Sequence, residues 1–260
     1  MKNNLRYLLY MLFVLITFPA CGQTNIILPS NFIEVPIPKT GSKKWQKMNH
    51  SIEEFSVKIE NNILQANKIK RYEDTEFELS NGKLVGIDRG EWGGKLIFVP
   101  SDTSKTGVEI KQKEKMPLLD IFSDTTQTNI QIKFGNIKFI FEFNGKVYFI
   151  EGLAHMGINE GALFELDITD NTFSYKKIID FEDAPQAFTI FNDKIFIASY
   201  QNFYVIENFK STLIFKDMFW ASLYPNSIAV FDEENIFVGI RGGIVKINLT
   251  EKNIYLYRKK

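Results

Sequence analysis

The chain has 260 residues, 45% of them hydrophobic and 14% aromatic, with 31 Lys and Arg against 31 Asp and Glu. That apolar fraction excludes a disordered chain and supplies core for one domain, or at most two. The balanced charge gives no basic surface for nucleic acid. The 24 Phe and 10 Tyr favour strands, where flat rings pack well on a pleated surface.

The first twenty residues read as a signal peptide. Lys2 and Arg6 supply a positive start, and Tyr7 to Phe18 is an apolar run broken in polarity only by Thr17. A membrane-spanning helix needs about 20 apolar residues, so this run fits a signal core better. Phe18-Pro19-Ala20-Cys21-Gly22 follows. A small residue before a cysteine, directly after the apolar run, resembles the lipobox of bacterial lipoproteins. That resemblance implies cleavage before Cys21, a lipid on Cys21 and attachment to the cell-envelope membrane. Phe18 and Pro19 depart from the usual pattern, so ordinary signal-peptidase cleavage, giving a soluble periplasmic or secreted protein, stays open. Cys21 is the only cysteine, so no intramolecular disulfide forms, and a lone cysteine in an exported protein asks for a use. Several acyl chains would make the anchor durable.

Residues 21–54 read as lipidated cysteine, tether and lead-in, with Pro29, Pro36, Pro38 and a polar run from Lys39 to Lys44. From Phe55 to Lys260 the chain becomes short strands separated by turn signals. A repeat emerges: strand, tight polar turn, strand, variable loop, strand, polar turn, strand. The first copy takes Phe77–Leu79, Leu84–Ile87, Lys95–Val99 and Val108–Ile110. The second takes Phe139–Phe143, Val147–Ile150, Ala162–Leu166 and Phe173–Ile178. The third takes Ala187–Phe191, Ile195–Ile197, Phe203–Ile206 and Thr212–Phe215. The fourth takes Ser227–Phe231, Ile236–Val238, Gly243–Ile247 and Ile254–Tyr257.

Asn81-Gly82, Asn144-Gly145 and Asn192-Asp193 supply turn residues that tolerate positive φ. The equivalent positions Leu84, Val147, Ile195 and Ile236 lie 63, 48 and 41 residues apart. The last two spacings suit four-stranded propeller blades. The long first interval leaves residues 114–136 for an excursion or extra strands. Phe55 to Ile69, turning at Asn61-Asn62, offers a partial fifth blade. The expected fold is all-β and β-propeller-like, with four visible four-stranded blades and a suspected fifth. An open β-sandwich or meander is the alternative.

Antiparallel neighbours reverse direction. The loop between the second and third strands of a blade therefore opens on the same face as the connection into the next blade. That face collects Asp88, Arg89, Glu91, Trp92, Glu151, His155, Tyr200, Trp220, Tyr224, Asn226 and Arg241. Binding residues concentrate on loops held by a rigid scaffold. Arg89, Trp92, His155, Tyr200, Trp220, Tyr224, Asn226 and Arg241 are the binding candidates. Asp88, Glu91, Glu151 and His155 are the weak catalytic candidates.

Each has a plainer reading. Gly90, Gly93 and Gly94 relieve crowding in a tight loop, and no Lys-Ser pair or following helix makes them a phosphate cradle. Trp92 and Trp220 can plug the space between blades. His155 lacks the company a metal site needs, so no metal and no cofactor is expected. The carboxylates can pair with Arg89 or Arg241. Asp167 and Asp170 lack the spaced acidic ladder and glycine of a calcium loop.

The strings Gly90-Glu-Trp-Gly-Gly94, Gly152-Leu-Ala-His155, Phe219-Trp-Ala-Ser-Leu-Tyr-Pro-Asn-Ser227 and Gly239-Ile-Arg-Gly-Gly-Ile-Val-Lys246 resemble those of a family of small exported bacterial β-propeller-like repeat proteins. The resemblance spans roughly residues 77–250. It implies the fold and brings no activity or residue role with it. The functional expectation is a membrane-anchored, non-enzymatic binding or scaffolding module with a protein or glycan ligand. The alternatives are an enzyme acting on a carbohydrate or small molecule, and a protective lipoprotein of the immunity type that binds a toxin.

Overall fold

The computed structural model describes residues 26–69, 74–101, 109–110, 129–169 and 172–260. Cys21 and the apolar leader lie outside them. Among the described residues the protein is all-β apart from one seven-residue helix and a single 3-10 turn. Among the described residues, no helix is long and apolar enough to cross a membrane.

The described residues begin with strand β1 (Phe32–Val35) and helix α1 (Lys43–Asn49), followed by the hairpin β2 (Phe55–Glu60) and β3 (Ile63–Lys68). The first sheet comprises β4 (Thr75–Leu79), β5 (Gly82–Asp88), β6 (Gly94–Pro100) and β8 (Ile130–Phe134). The second comprises β9 (Ile137–Phe143), β10 (Lys146–His155), β11 (Ile158–Thr169) and β12 (Thr172–Phe181), with the two-residue β7 (Glu109–Ile110) beside β12. The third runs β13 (Pro185–Phe191), β14 (Lys194–Ser199), β15 (Phe203–Glu207) and β16 (Lys210–Phe215). The fourth runs β17 (Ser227–Asp232), β18 (Asn235–Ile240), β19 (Gly243–Asn248) and β20 (Asn253–Lys259), and β1 pairs with β20 as its fifth strand.

The middle strands explain why these segments are apolar at consecutive positions rather than alternate ones. Each middle sheet is covered on both faces, so both side-chain sets of a strand are buried. In β10, Phe149 joins the core between the first two sheets, while Tyr148 and Ile150 join the core between the second and third. In β14, Ile195 and Ile197 face the second sheet, while Phe196 and Ala198 face the fourth. In β18, Ile236, Val238 and Ile240 face the third sheet, while Phe237 faces the hairpin, with Phe55, Val57 and Leu64.

The sheets follow one another by a repeated contact. β9 packs on β4 and β5 of the sheet before it, β13 on β10 and β11, and β17 on β13 and β14. After the fourth sheet the same role falls to β2, which packs on β17, β18 and β19. The hairpin therefore precedes the first sheet in sequence and adjoins the fourth in space.

Tight turns do what their residues allow. Asn61-Asn62, Asn144-Gly145 and Asn192-Asp193 all have positive φ, between 49° and 73°. Asn81-Gly82 is different. The turn is Ser80-Asn81, and Gly82 already pairs with Leu79 and Pro100. A Cβ at Gly82 would lie 2.3 Å from the carbonyl oxygen of Val99.

Two expectations are corrected. The fourth strand of the first sheet is Ile130–Phe134, which pairs with β6, not Val108–Ile110. Glu109–Ile110 instead runs parallel to β12. Residues 26–54, expected as tether and lead-in, contribute ordered pieces of the fold. Phe32 and Met48 are buried, β1 is hydrogen-bonded to β20, and the Trp45 indole donates to the Phe219 carbonyl at 2.7 Å. Ser42 caps α1 by accepting from the Trp45 amide.

Candidate functional site

A cavity of about 870 Å³ opens where the second-to-third-strand loops of the first two sheets, β10–β11 above all, meet the starts of the first strands. Asp88, Arg89 and Gly90 come from the loop after β5. Leu153 to Asn159 come from the tip of the β10–β11 hairpin, which extends well past its sheet. Tyr200 comes from the loop after β14, and Ser222, Tyr224 and Asn226 from the segment entering β17. Asp74 and Thr75, Ile137 to Phe139, and Gln186 complete the wall from the starts of β4, β9 and β13.

The charged residues in this wall are paired. Arg89 grips Asp74 with both terminal nitrogens, at 2.7 and 3.1 Å, and holds its carboxyl below the usual range. Lys138 donates to Asp88, whose other oxygen accepts the Gly90 amide at 2.9 Å. Asn136 clasps the same loop, accepting from the Arg89 amide at 3.2 Å and donating to the Gly90 carbonyl at 3.0 Å. On the rim, Nε2 of His155 meets Glu91, so the first-sheet loop and the second-sheet hairpin touch through a carboxylate–imidazole pair.

Tyr224 adopts φ of 52° and is 41% exposed. The Arg241 guanidinium lies 4.3 Å from its ring centre. Arg241 also holds Glu54 and donates to the Asn49 carbonyl at 3.1 Å, which ties the hairpin, α1 and the fourth sheet together behind Tyr224. The Tyr200 hydroxyl shares a 2.5 Å hydrogen bond with Ser222.

A buried polar cluster supports the Tyr200 loop from below. Asp183 accepts from the Gln201 amide at 2.8 Å and from the Tyr204 hydroxyl at 2.9 Å, and Asn202 donates to the Tyr204 oxygen at 3.1 Å. Burial pushes the Asp183 carboxyl up from its ordinary value, against the pull of those donors. Burial likewise raises the Tyr204 phenol, with the Asp183 charge adding to it.

The structure thus brings Asp88, Arg89, His155, Tyr200, Tyr224 and Asn226 into one cavity wall, with Glu91 at its rim and Arg241 behind it. Three candidates fall elsewhere. Trp220 is 0% exposed, and its indole donates to the Ser199 carbonyl at 3.2 Å, so it is a core plug that no ligand reaches. Glu151 lies in a separate cleft, paired with the buried Lys133 at 2.8 Å. Trp92 is 80% exposed beyond the cavity wall, on the same loop as Arg89.

Sequence reasoning missed Asp74, Lys138, Asn159 and Gln186. The strand-parity rule that selected the loops also places the start of every first strand on that face. Applied to all four sheets, it finds Asp74, Lys138 and Gln186. Among the described residues, no three His, Cys, Asp or Glu side chains are grouped to hold a metal ion.

No protein-family model matches the chain, and no curated protein does. Among solved structures, one similar chain belongs to an S. cerevisiae complex of a dbp5 variant bound to nup159, a gle1 variant, IP6 and ADP. The match has 9% identity and a TM-score of 0.27 over 79% of this chain, and it spans only 65% of that chain. A likeness that shallow carries no argument about fold or function.

Proposed function

We propose that this is an exported, lipid-anchored binding protein whose sheets are propeller blades and whose loop-face cavity takes a ligand without transforming it. The ring reading is supported by the repeated contact between successive sheets, with the β2–β3 hairpin taking the fifth position and β1 adding an outer strand to the fourth sheet. The anchor reading rests on Cys21 after the apolar leader.

One observation carries the binding reading. Seven chain segments, spread between Asp74 and Asn226, converge on a single cavity, and each aspartate in its wall is tied to a cation. An acid or base for hydrolysis needs a proton-transfer group free to face the substrate. Asp88 and Glu151, held by Lys138 and Lys133, are positioned as structural partners instead. The Glu91–His155 pair on the rim is the one arrangement that favours an enzyme.

The test is an amide-shift screen of the exported protein against small fragments of mixed charge. Saturable shifts at Thr75, Lys138, Gln186 and Asn226 support the reading. Shifts scattered over other surfaces, or turnover of a bound fragment, reject it. The anchor is tested by intact mass and membrane fractionation of wild type beside Cys21→Ser. A lipid-sized mass and membrane retention, both lost in the variant, are the expected result.

A further inference from the structure

We infer that the ligand of this cavity is an uncharged carbohydrate, an inference that rests on the binding reading above. The wall contains two carboxylates, Asp74 and Asp88, and two cations, Arg89 and Lys138, and they neutralise one another in pairs. An ionic ligand would have to displace one partner of a pair or sit in the cavity without a counter-charge, so the wall offers it no net electrostatic gain over a neutral one.

The polar groups left over are neutral. Among the described residues, the Gln186 amide and the Tyr224 hydroxyl have no hydrogen-bond partner. Tyr200 and Ser222 spend one hydroxyl hydrogen on each other and keep the second. Such groups both donate and accept, which is what a ring of hydroxyls requires.

Aromatic surface completes the match. The Tyr224 ring is held from behind by Arg241, and an exposed residue in a left-handed conformation is kept there by its surroundings. Tyr224 lines the cavity and is 41% exposed, so its ring is available to a ligand. The C–H face of a pyranose packs on such rings while its hydroxyls reach the amides. The volume sits in the upper part of the roughly 300–1,000 Å³ range of small-ligand sites, enough for a short oligosaccharide.

The test uses the exported full-length protein carrying Cys21→Ser. The neutral probes are cellotetraose, chitotetraose, maltotetraose and mannotetraose. The charged probes of matched size are tetragalacturonate and the deacetylated, cationic form of chitotetraose. At least one neutral probe is expected to saturate with amide shifts at Thr75, Gln186 and Asn226, and to bind at least about tenfold more tightly than either charged probe. Gln186→Ala and Tyr224→Asn should each weaken it by about tenfold, the loss of one hydrogen bond or one stacking surface. Asn tolerates the left-handed backbone, so Tyr224→Asn keeps the fold, and unchanged shifts elsewhere verify that. Charged probes saturating the cavity while every neutral one fails would overturn the carbohydrate and leave the binding site standing. Cavity shifts from neither set, in a protein also silent to mixed fragments, would overturn both.

Discussion

Gly239 on β18 is a position where one added methyl should loosen the hairpin from the fourth sheet. An ideal Cβ there lies 2.1 Å from the Phe55 carbonyl oxygen and 2.6 Å from the Ser227 hydroxyl. Ordinary contact begins at 3.4 Å, so β2 must retreat by about 1.3 Å. The retreat stretches the 2.8 Å bond from the Val57 amide to the Ser227 oxygen and opens the layer holding Phe55, Val57 and Leu64. Overpacking of this kind costs about 1–3 kcal/mol, and an amide losing its partner about 1 kcal/mol more. The intrinsic preference of a strand for Ala over Gly returns only about 0.5–1 kcal/mol. Gly239→Ala should therefore destabilise the protein by about 1–3.5 kcal/mol in urea titrations followed by far-ultraviolet circular dichroism. Limited proteolysis should at the same time reach residues 50–69. A loss under about 1 kcal/mol with an unchanged cleavage pattern would refute the packing of β2 on β18 and, with it, the fifth position assigned to the hairpin in the proposed ring.

Trp220→Ala should cost about 3–5 kcal/mol in the same titration, because it empties a fully buried site, whereas Trp92→Ala should stay within about 0.5 kcal/mol. Asp183 gives a pH signature. Its folded value lies above the roughly 3.9 of an unfolded aspartate, so the native state holds the extra proton between the two values and stability falls as pH rises through that window. Asp183→Asn should flatten that part of the stability–pH curve, and an identical slope in both proteins would show that Asp183 does not set it. Arg241→Lys should lower the melting temperature by about 3–6 °C, since a lysine cannot bond Glu54 through two nitrogens, reach Asn49 and cover the Tyr224 ring together. No change in melting would mean that this linkage adds nothing to stability.

The strands of the second, third and fourth sheets were legible because each is a compact apolar run bounded by turn residues. The runs at 148–150, 195–197 and 236–238 are buried on both faces, which is why they lack strict alternation. The first sheet was misread at its outer strand. Val108–Ile110 and Ile130–Phe134 are both short apolar patches, and short connections are the commoner choice. Only the pairing with β6 decides for Ile130–Phe134. The segment Phe32–Val35 was not read as a strand because it lies between Pro29 and Pro36 and finds its partner more than 200 residues away. At the site, strand parity reaches the loops, and pairing of the carboxylates is expected, but with Arg89 or Arg241; Asp88 and Glu151 instead pair with Lys138 and Lys133, and Glu91 with His155. Nothing local in the sequence couples Asp88 to Lys138 or Arg89 to Asp74. Trp220 was misplaced for a related reason, since a tryptophan between two sheets looks the same in sequence whether it points out or in.

The ladder between β1 and β20 also fixes how the domain bears load. Phe32 to Val35 run against Leu256 to Lys259 in unbroken register. A pull on the chain upstream of β1, directed along that strand, strains the ladder in shear, so its hydrogen bonds resist together and do not open one at a time. A load applied upstream of Ile27 meets its bridge to Ile63 on the β2–β3 hairpin first and the β1–β20 ladder next, and the cavity walls contributed by the first three sheets stay outside that path.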